Sequence, residues 1–270
     1  MSQALLNIGV KAARRAGNVI VRGMQNLDNI KIEQKGENDY ASQIDRNAEK
    51  AIIECIRDAY PDHAILGEES GQDGEGEVQW IVDPLDGTTN YLHGFPQFAV
   101  SIACEVKGRS MAAVIYDPLR QELFTAVRGD GAQLDGKRIR VTARPGLTGA
   151  LLATGFPYRS FNEWSDRYWD MLKDVSARAA GIRRPGSAAL DMAYIAAGRV
   201  DGFWEIGLSP WDTAAGELLV REAGGLISDL HGGENWRELK HIVAGGPKVF
   251  RELLKVLRPH ARKVEAAGPG

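Results

Sequence analysis

Apolar residues recur at helical spacing over the first sixty positions and then give way to short runs separated by turn residues. Leu5, Ile8, Ala12, Ala16, Val19, Gly23 and Leu27 form one stripe, which predicts a long amphipathic helix over residues 2–27. A short extended stretch carrying Ile30 and Ile32 follows. Ser42 stands at an N-cap position ahead of the stripe Ile44, Ala48, Ile52, Cys55 and Ala59, and Pro61 closes this second helix. From His63 to Val141 the apolar runs are strand-like, at 64–66, 79–82, 98–106, 111–116 and 123–127, divided by Gly, Asp and Pro. They predict a largely antiparallel sheet. Beyond Pro145 the types alternate: a strand near Leu151, helices over 162–175 and 187–197, a strand over 202–206, a helix over 211–223, strands near Ile227 and Ile242, and a last helix from Pro247. The expected organisation is an N-terminal α+β lobe over 1–145, a C-terminal α/β lobe over 146–258, and a flexible tail over 259–270, where Ala, Gly, Pro and charge show no periodicity.

Composition narrows the class. Of 270 residues, 44% are apolar and 26% charged, enough to bury a sizeable core and far from a disordered composition. Lys and Arg number 33 against 36 Asp and Glu, a formal charge of -3, which argues against coating nucleic acid by bulk charge and leaves a local basic patch open. No apolar run approaches the roughly 20 residues of a membrane span, and the N-terminal segment carries its charges after its apolar residues; a soluble cytoplasmic protein is expected. Cys55 and Cys104 fall on an expected helix and strand, as buried free thiols would.

The stretch Trp80-Ile81-Val82-Asp83-Pro84-Leu85-Asp86-Gly87-Thr88-Thr89-Asn90 carries the chemistry. An apolar strand runs into two carboxylates three positions apart, with Pro84 fixing φ between them and Gly87 permitting a sharp turn before two hydroxyls. Carboxylates held this close repel each other unless a cation compensates, so the pattern suits a hard divalent ion, with Mg²⁺ fitting an oxygen-only ligand set. The same residues also suit an Asx-type turn capping its own backbone. Gly67-Glu68-Glu69-Ser70 ends another strand-like run and reads as crevice ligand or solvated turn; Asp212, after Trp211, begins a helix and reads as ligand or cap. The five histidines lack paired metal-ligand spacing, and Gly71, Gly74 and Gly76 occupy an acidic loop rather than a phosphate-binding one. Trp164 and Trp169 are expected in helix packing.

Taken together and in order, GEES, WIVDPLDGTTN and PWDTAAGE resemble the signature of the inositol monophosphatase family, within the lithium-sensitive, Mg²⁺-dependent phosphatases. The resemblance extends through HGFPQFAVSIA, YDPLRQELFTA, RGDGAQLDG, ATGFP, GSAALDMAYIAAGRVDGFWEIG and EAGG, about residues 5 to 258. It implies a layered αβαβα sandwich, as in fructose-1,6-bisphosphatase-like folds. It further implies that Glu68, Asp83 and the Leu85 carbonyl hold one Mg²⁺, that Asp83, Asp86 and Asp212 hold a second, and that a looser third leans on Glu68 and water. Asp45, in the segment DYASQID, is then expected beside Thr88, the two orienting and deprotonating the attacking water, with Glu68 also in the catalytic set. Phosphomonoester hydrolysis needs positioned water, neutralised phosphoryl charge and a stabilised leaving group, needs that paired Mg²⁺ ions meet. Backbone N–H groups of Gly87 and Thr88 are expected at the phosphate, beside Leu85, Asp86 and Asp212. The resemblance sets Gly186, Ser187, Ala188 and Glu205 against the ring hydroxyls of a substrate such as myo-inositol 1-phosphate, with Arg183 as a further contact. Sugar bisphosphates, NADP and adenosine bisphosphates are alternative substrates. The resemblance is strongest to bacterial members and implies a homodimer and a second role in ribosomal RNA transcription antitermination with NusA and RNA polymerase. In the basic cluster Arg178, Arg183 and Arg184, Arg184 remains open between a partner surface, a subunit interface and the substrate phosphate.

Overall fold

The computed structural model describes residues 2–29, 32–36, 39–157 and 161–265, with side chains described throughout these except at 26, 28–36, 39–41, 161–163 and 262–265. In the first half, helix α1 (Ser2–Gly23) and a 3-10 segment (Met24–Asn29) precede a hairpin, β1 (Ile32–Gly36) with β2 (Asp39–Ser42), and helix α2 (Gln43–Ala59). Strands β3 (Ala64–Gly67), β4 (Gly71–Asp73) and β5 (Val78–Asp86) lead to the short helix α3 (Thr88–Leu92). Strands β6 (Ala99–Val106), β7 (Arg109–Asp117), β8 (Glu122–Val127), β9 (Gly131–Leu134) and β10 (Lys137–Arg138) complete this half. The second half runs β11 (Leu151–Thr154), α4 (Phe161–Ser176), β12 (Gly181–Arg183), α5 (Ala188–Ala196), β13 (Gly202–Ile206), α6 (Pro210–Glu222), β14 (Leu226–Ser228), α7 (Trp236–Leu239), β15 (His241–Gly245) and α8 (Pro247–Glu265).

Two sheets and three helical layers stack as αβαβα. The eight-stranded sheet, ordered β10-β9-β8-β7-β6-β5-β3-β4, is antiparallel except between β3 and β5. The five-stranded sheet, ordered β12-β11-β13-β15-β14, is parallel among β12, β11 and β13 and antiparallel at β15. Helices α1 and α2 cover the outer face of the large sheet, and α4 and α8 cover the outer face of the small one. Between the sheets lie α5 and α6, whose Ala189, Ala193, Ala214 and Ala215 are fully or almost fully buried. A helix enclosed on all sides must be apolar nearly all round, and small residues let both sheets approach it.

The elements follow from local sequence. Ser42 caps α2 as expected: its hydroxyl accepts from the Ile44 N–H at 3.1 Å, and Asp45 returns to the Ser42 N–H at 2.9 Å, a reciprocal capping box. Along β5, Trp80 and Val82 face the α1/α2 layer while Ile81 faces α5 and α6, the period-2 alternation of a strand buried on both sides. Cys55 and Cys104 are buried and unbonded, on α2 and β6.

Several expectations need revision. The segment 259–265, read as tail, continues α8 through Pro259. The buried stripe Val249, Phe250, Leu253, Leu257 and Ala261 carries the helical period past the proline, and His260 Nε2 lies 2.9 Å from Asp174 of α4; residues 266–270 lie outside the described residues. Trp169, expected in packing, is 45% exposed, although its ring meets Phe156 and Tyr168. The pairing of β1 with β2 and the strand β12 have no counterpart in the apolar pattern, and Ile30 lies outside the described residues. Among the described residues no helix is long and apolar enough to cross a membrane.

Candidate metal centre and active site

The centre of the site is an irregularity in β5. Against β6, Asp83 is level with Ser101 and Asp86 with Ala99, so three steps on β5 match two on β6. In a regular strand residues three apart point to opposite faces; one extra residue restores Asp86 to the face of Ile81 and Asp83. Pro84, which has no N–H to give a ladder, occupies this bulge. The Leu85 N–H turns back to Asp83 Oδ1 at 2.9 Å, and the Leu85 side chain is fully buried. Gly87 then adopts φ +96° at the N-cap of α3, where a Cβ would lie 2.9 Å from the Gln97 carbonyl oxygen. Both the backbone region and the lack of space require glycine there.

Asp212 reaches the same point from α6. Its Oδ2 accepts from the Ser209 N–H at 2.6 Å, so the cap expected from sequence is present, and the carboxylate also completes a cluster with Asp83 and Asp86. One oxygen from each of the three lies within 4.8 Å of the others. The β3–β4 turn brings Glu68, whose N–H donates to the Val82 carbonyl at 3.1 Å, close enough to Asp83 for its carboxyl to raise the pKa of Asp83. Burial, then the charges of Glu68, Asp86 and Asp212, push Asp83 well above the usual carboxylate range. Burial and the neighbouring Asp212 push Asp86 up to about 7, against hydrogen bonds from Ser187 Oγ at 2.5 Å and the Ala189 N–H at 2.8 Å. Four crowded carboxyl groups, of which Asp83 and Asp86 are pushed above the usual carboxylate range, form a donor set that fits a hard divalent cation: all oxygen, with neither histidine nor thiolate.

Beside this cluster Thr88 Oγ1 lies 2.8 Å from Asp45 Oδ1 and 3.1 Å from the Leu85 carbonyl oxygen, so its hydroxyl hydrogen has two acceptors in reach. Asp45 is fully buried; burial raises its pKa, while hydrogen bonds from Ser42 and Thr88 lower it. A cavity of about 150 Å³ opens alongside, bounded by Asp86, Asp212, Gly186, Ala188, Glu205 and Arg184 among others. Asn90 ties the two halves of the chain, its Nδ2 donating to Gln97 O at 2.7 Å and Pro185 O at 2.8 Å.

Two expected contacts fall elsewhere. Arg183 ends the edge strand β12, is exposed, and donates to the Ile182 carbonyl; it does not line the cavity. Its neighbour Arg184, past the end of the strand, does so, with its guanidinium 5.2 Å over the Phe156 ring. Ser187 caps α5 and donates to Asp86 rather than bordering the cavity. Asn90, already inside the singled-out motif, and Gly155, whose absent side chain leaves room for the Glu205 carboxylate, were not assigned roles from sequence. Asp191 is a further omission: it is buried on α5, and burial, then Glu205 and Asp86, raise its carboxyl well above the usual range against a smaller effect of Arg184. Its place on an otherwise apolar helix was the available signal.

Residues 1–262 match the inositol monophosphatase family. Among curated relatives, a Pseudomonas aeruginosa protein named Nus factor SuhB is 54% identical over 96% of this chain and 97% of its own length. The Escherichia coli protein of the same name is 52% identical over 94% and 96%. Among solved structures, extragenic suppressor protein SuhB from Bartonella henselae superposes with a TM-score of 0.91 at 47% identity, covering 94% of this chain and 98% of that one. Inositol monophosphatase from Anabaena gives 0.85 at 37%, covering 95% and 96%. With the acidic cluster assembled from β5 and α6, and with agreement in sequence and fold over nearly the whole length, the chain belongs to the inositol monophosphatase family.

Proposed function

We propose that this phosphatase of the inositol monophosphatase family hydrolyses myo-inositol 1-phosphate and similar small polyol phosphates, transferring the phosphoryl group directly to water. The observation that carries the reading is the convergence of Asp83, Asp86 and Asp212 within 4.8 Å, joined by Glu68. Glu68, Asp83 and the Leu85 carbonyl would hold one Mg²⁺ and Asp83, Asp86 and Asp212 a second, with Glu68 and water available to a third. Bound Mg²⁺ supplies neutralisation of phosphoryl charge and acidification of water.

The chain's own groups supply the rest. Thr88 Oγ1 accepts a proton from the attacking water as its own passes to Asp45 Oδ1, a relay supported by the 2.8 Å contact. Burial makes Asp45 a better base than an exposed carboxylate, and the Ser42 hydrogen bonds hold it in place. As the water oxygen bonds to phosphorus, the bond to the alcohol oxygen breaks and the departing alkoxide takes a proton from solvent. Backbone N–H groups of Gly87 and Thr88 face the phosphoryl oxygens, and Glu205, Gly186, Ala188 and Arg184 contact the alcohol half. A cavity of about 150 Å³ favours a compact polyol over a nucleotide, since pockets for larger ligands run from roughly 300 Å³ upward.

Phosphate release from myo-inositol 1-phosphate, with and without Mg²⁺, with a Li⁺ series and with Asp83→Asn as blank, tests this. Release should require Mg²⁺ and vanish in the variant; a folded, Mg²⁺-saturated chain that releases no phosphate from this substrate overturns the reading. A second role, as a homodimeric partner of NusA and RNA polymerase in antitermination, is favoured by relatives named Nus factor SuhB that match over 94–96% of the chain. In a strain lacking the gene, Asp212→Asn that abolishes hydrolysis yet restores growth assigns the biological role to binding; failure to restore growth ties it to catalysis.

A further inference from the structure

A buried carboxylate outside the metal cluster organises the turn that carries Glu68. Glu49 lies one helical turn after Asp45 on α2 and is only 3% exposed. Its Oε2 accepts from the Glu69 N–H at 2.9 Å. The same carboxylate lies over Gly67, where a Cβ would approach Oε2 to 2.5 Å and Ser70 Oγ to 2.7 Å. Glu68 is therefore held from both sides: its own N–H is bonded to Val82 of β5, and the next N–H is bonded to Glu49 of α2. A four-residue turn fixed at two successive amides has little freedom to swing the Glu68 carboxylate.

We propose that Glu49 is a positioning residue that sets the Mg²⁺ affinity of the site by holding the Gly67–Ser70 turn, and with it Glu68, against Asp83. The inference rests on the metal reading above and deepens it. It makes α2 a common support: one turn of the helix presents Asp45 to Thr88, and the next presents Glu49 to the Glu68 turn. A helix bound by its capping box and packed by Ile52, Cys55 and Ile56 is a stiff base for both. The ligand turn thus inherits its position from a core element rather than from the loop's own sequence. Groups that orient metal ligands change affinity by roughly 10- to 100-fold when removed.

Mg²⁺ binding to the purified full chain by titration calorimetry, with thermal melting of each metal-free variant, tests the proposal. Glu49→Ala should weaken Mg²⁺ binding at least tenfold, and Glu49→Gln, which keeps an acceptor for the Glu69 N–H, should return it to within about threefold of the parent. Gly67→Ala, which leaves Glu49 in the chain but pushes its carboxylate aside, should weaken binding as Glu49→Ala does, and it carries the test should the alanine variant at 49 not fold. A purely structural role would lower the melting temperature while leaving the Mg²⁺ dissociation constant unchanged. Parent-like Mg²⁺ affinity in folded Glu49→Ala or Gly67→Ala overturns the proposal, as does a Glu49→Gln variant as impaired as the alanine. A parent chain that itself binds no Mg²⁺ fails the metal reading instead, so the two failures are distinguishable.

Discussion

Removing the metal should make the stability of this protein fall as pH rises through neutrality, and Asp86 should account for a measurable share of the fall. Its carboxyl is displaced from 3.8 to about 7 by burial and by Asp212. An acid whose folded pKa lies above its unfolded one keeps its proton in the folded state between the two values while the unfolded chain releases it. Folding therefore takes up a proton in that window, and stability is lost as pH rises from about 4 through about 7. At roughly 1.4 kcal/mol per tenfold, the whole displacement costs the metal-free fold about 4 kcal/mol, of which about 2.5 kcal/mol falls between pH 5 and pH 8. For a chain of this size that corresponds to roughly 5–10 °C in Tm. Asp86→Asn removes the titrating group while keeping an oxygen to accept from Ser187 and the Ala189 N–H, so it isolates the effect from the histidines, of which His63 and His241 have pKa values lowered by burial and act in the opposite direction. Calorimetric melts in chelator at pH 5, 6, 7 and 8 should show the parent losing stability relative to the variant, with the variant the more stable at pH 8. Saturating Mg²⁺ should abolish the difference in the parent, because a ligand that binds only the folded state offsets the repulsion. Parallel pH profiles for parent and Asp86→Asn in chelator would refute the reasoning.

Other outcomes follow from the same geometry. Thr88→Val removes the hydroxyl that bridges Asp45 and the Leu85 carbonyl; steady-state assays should show kcat lower by roughly 10²- to 10⁴-fold with Mg²⁺ binding little changed. Gly155→Ala places a Cβ where the Glu205 carboxylate now lies, so the carboxylate must move; KM for myo-inositol 1-phosphate should rise while hydrolysis of p-nitrophenyl phosphate, which has no ring hydroxyls, stays close to parent. Asn90→Ala strips the donor that joins the Gln97 and Pro185 carbonyls, and denaturant unfolding should register a loss of about 1–3 kcal/mol.

Much of this fold is written in short-range pattern. The stripe on α2, the Ser42 cap, the alternation along β5 and the exact span of β13 follow from periods of 3.6 and 2 that neighbouring residues establish by themselves. The acidic residues were legible too, because Asp-Pro-Leu-Asp-Gly at the end of an apolar strand and an Asp in the first turn of a helix are unusual enough to be noticed one at a time. Where periodicity was faint, the reading erred: α8 runs on past Pro259 because burial of Leu257 and Ala261 against α4 and the small sheet outweighs the missing hydrogen bond.

What the sequence by itself determined was the identity of the candidate ligating and proton-moving side chains and the elements that bear them. Tertiary structure alone decided that they meet. A one-residue bulge against β6 returns Asp86 to the face of Asp83, and α6, pressed between two sheets by its small residues, brings Asp212 to the same point. The edge position of β12 leaves Arg183 in solvent and gives the cavity to Arg184, and the packing of α2 places Glu49 behind a turn far from it in sequence. Local pattern specifies which face of an element is buried, but not which other element covers it. That choice is made by side-chain volume and backbone register across the layers, which no window of neighbouring residues contains.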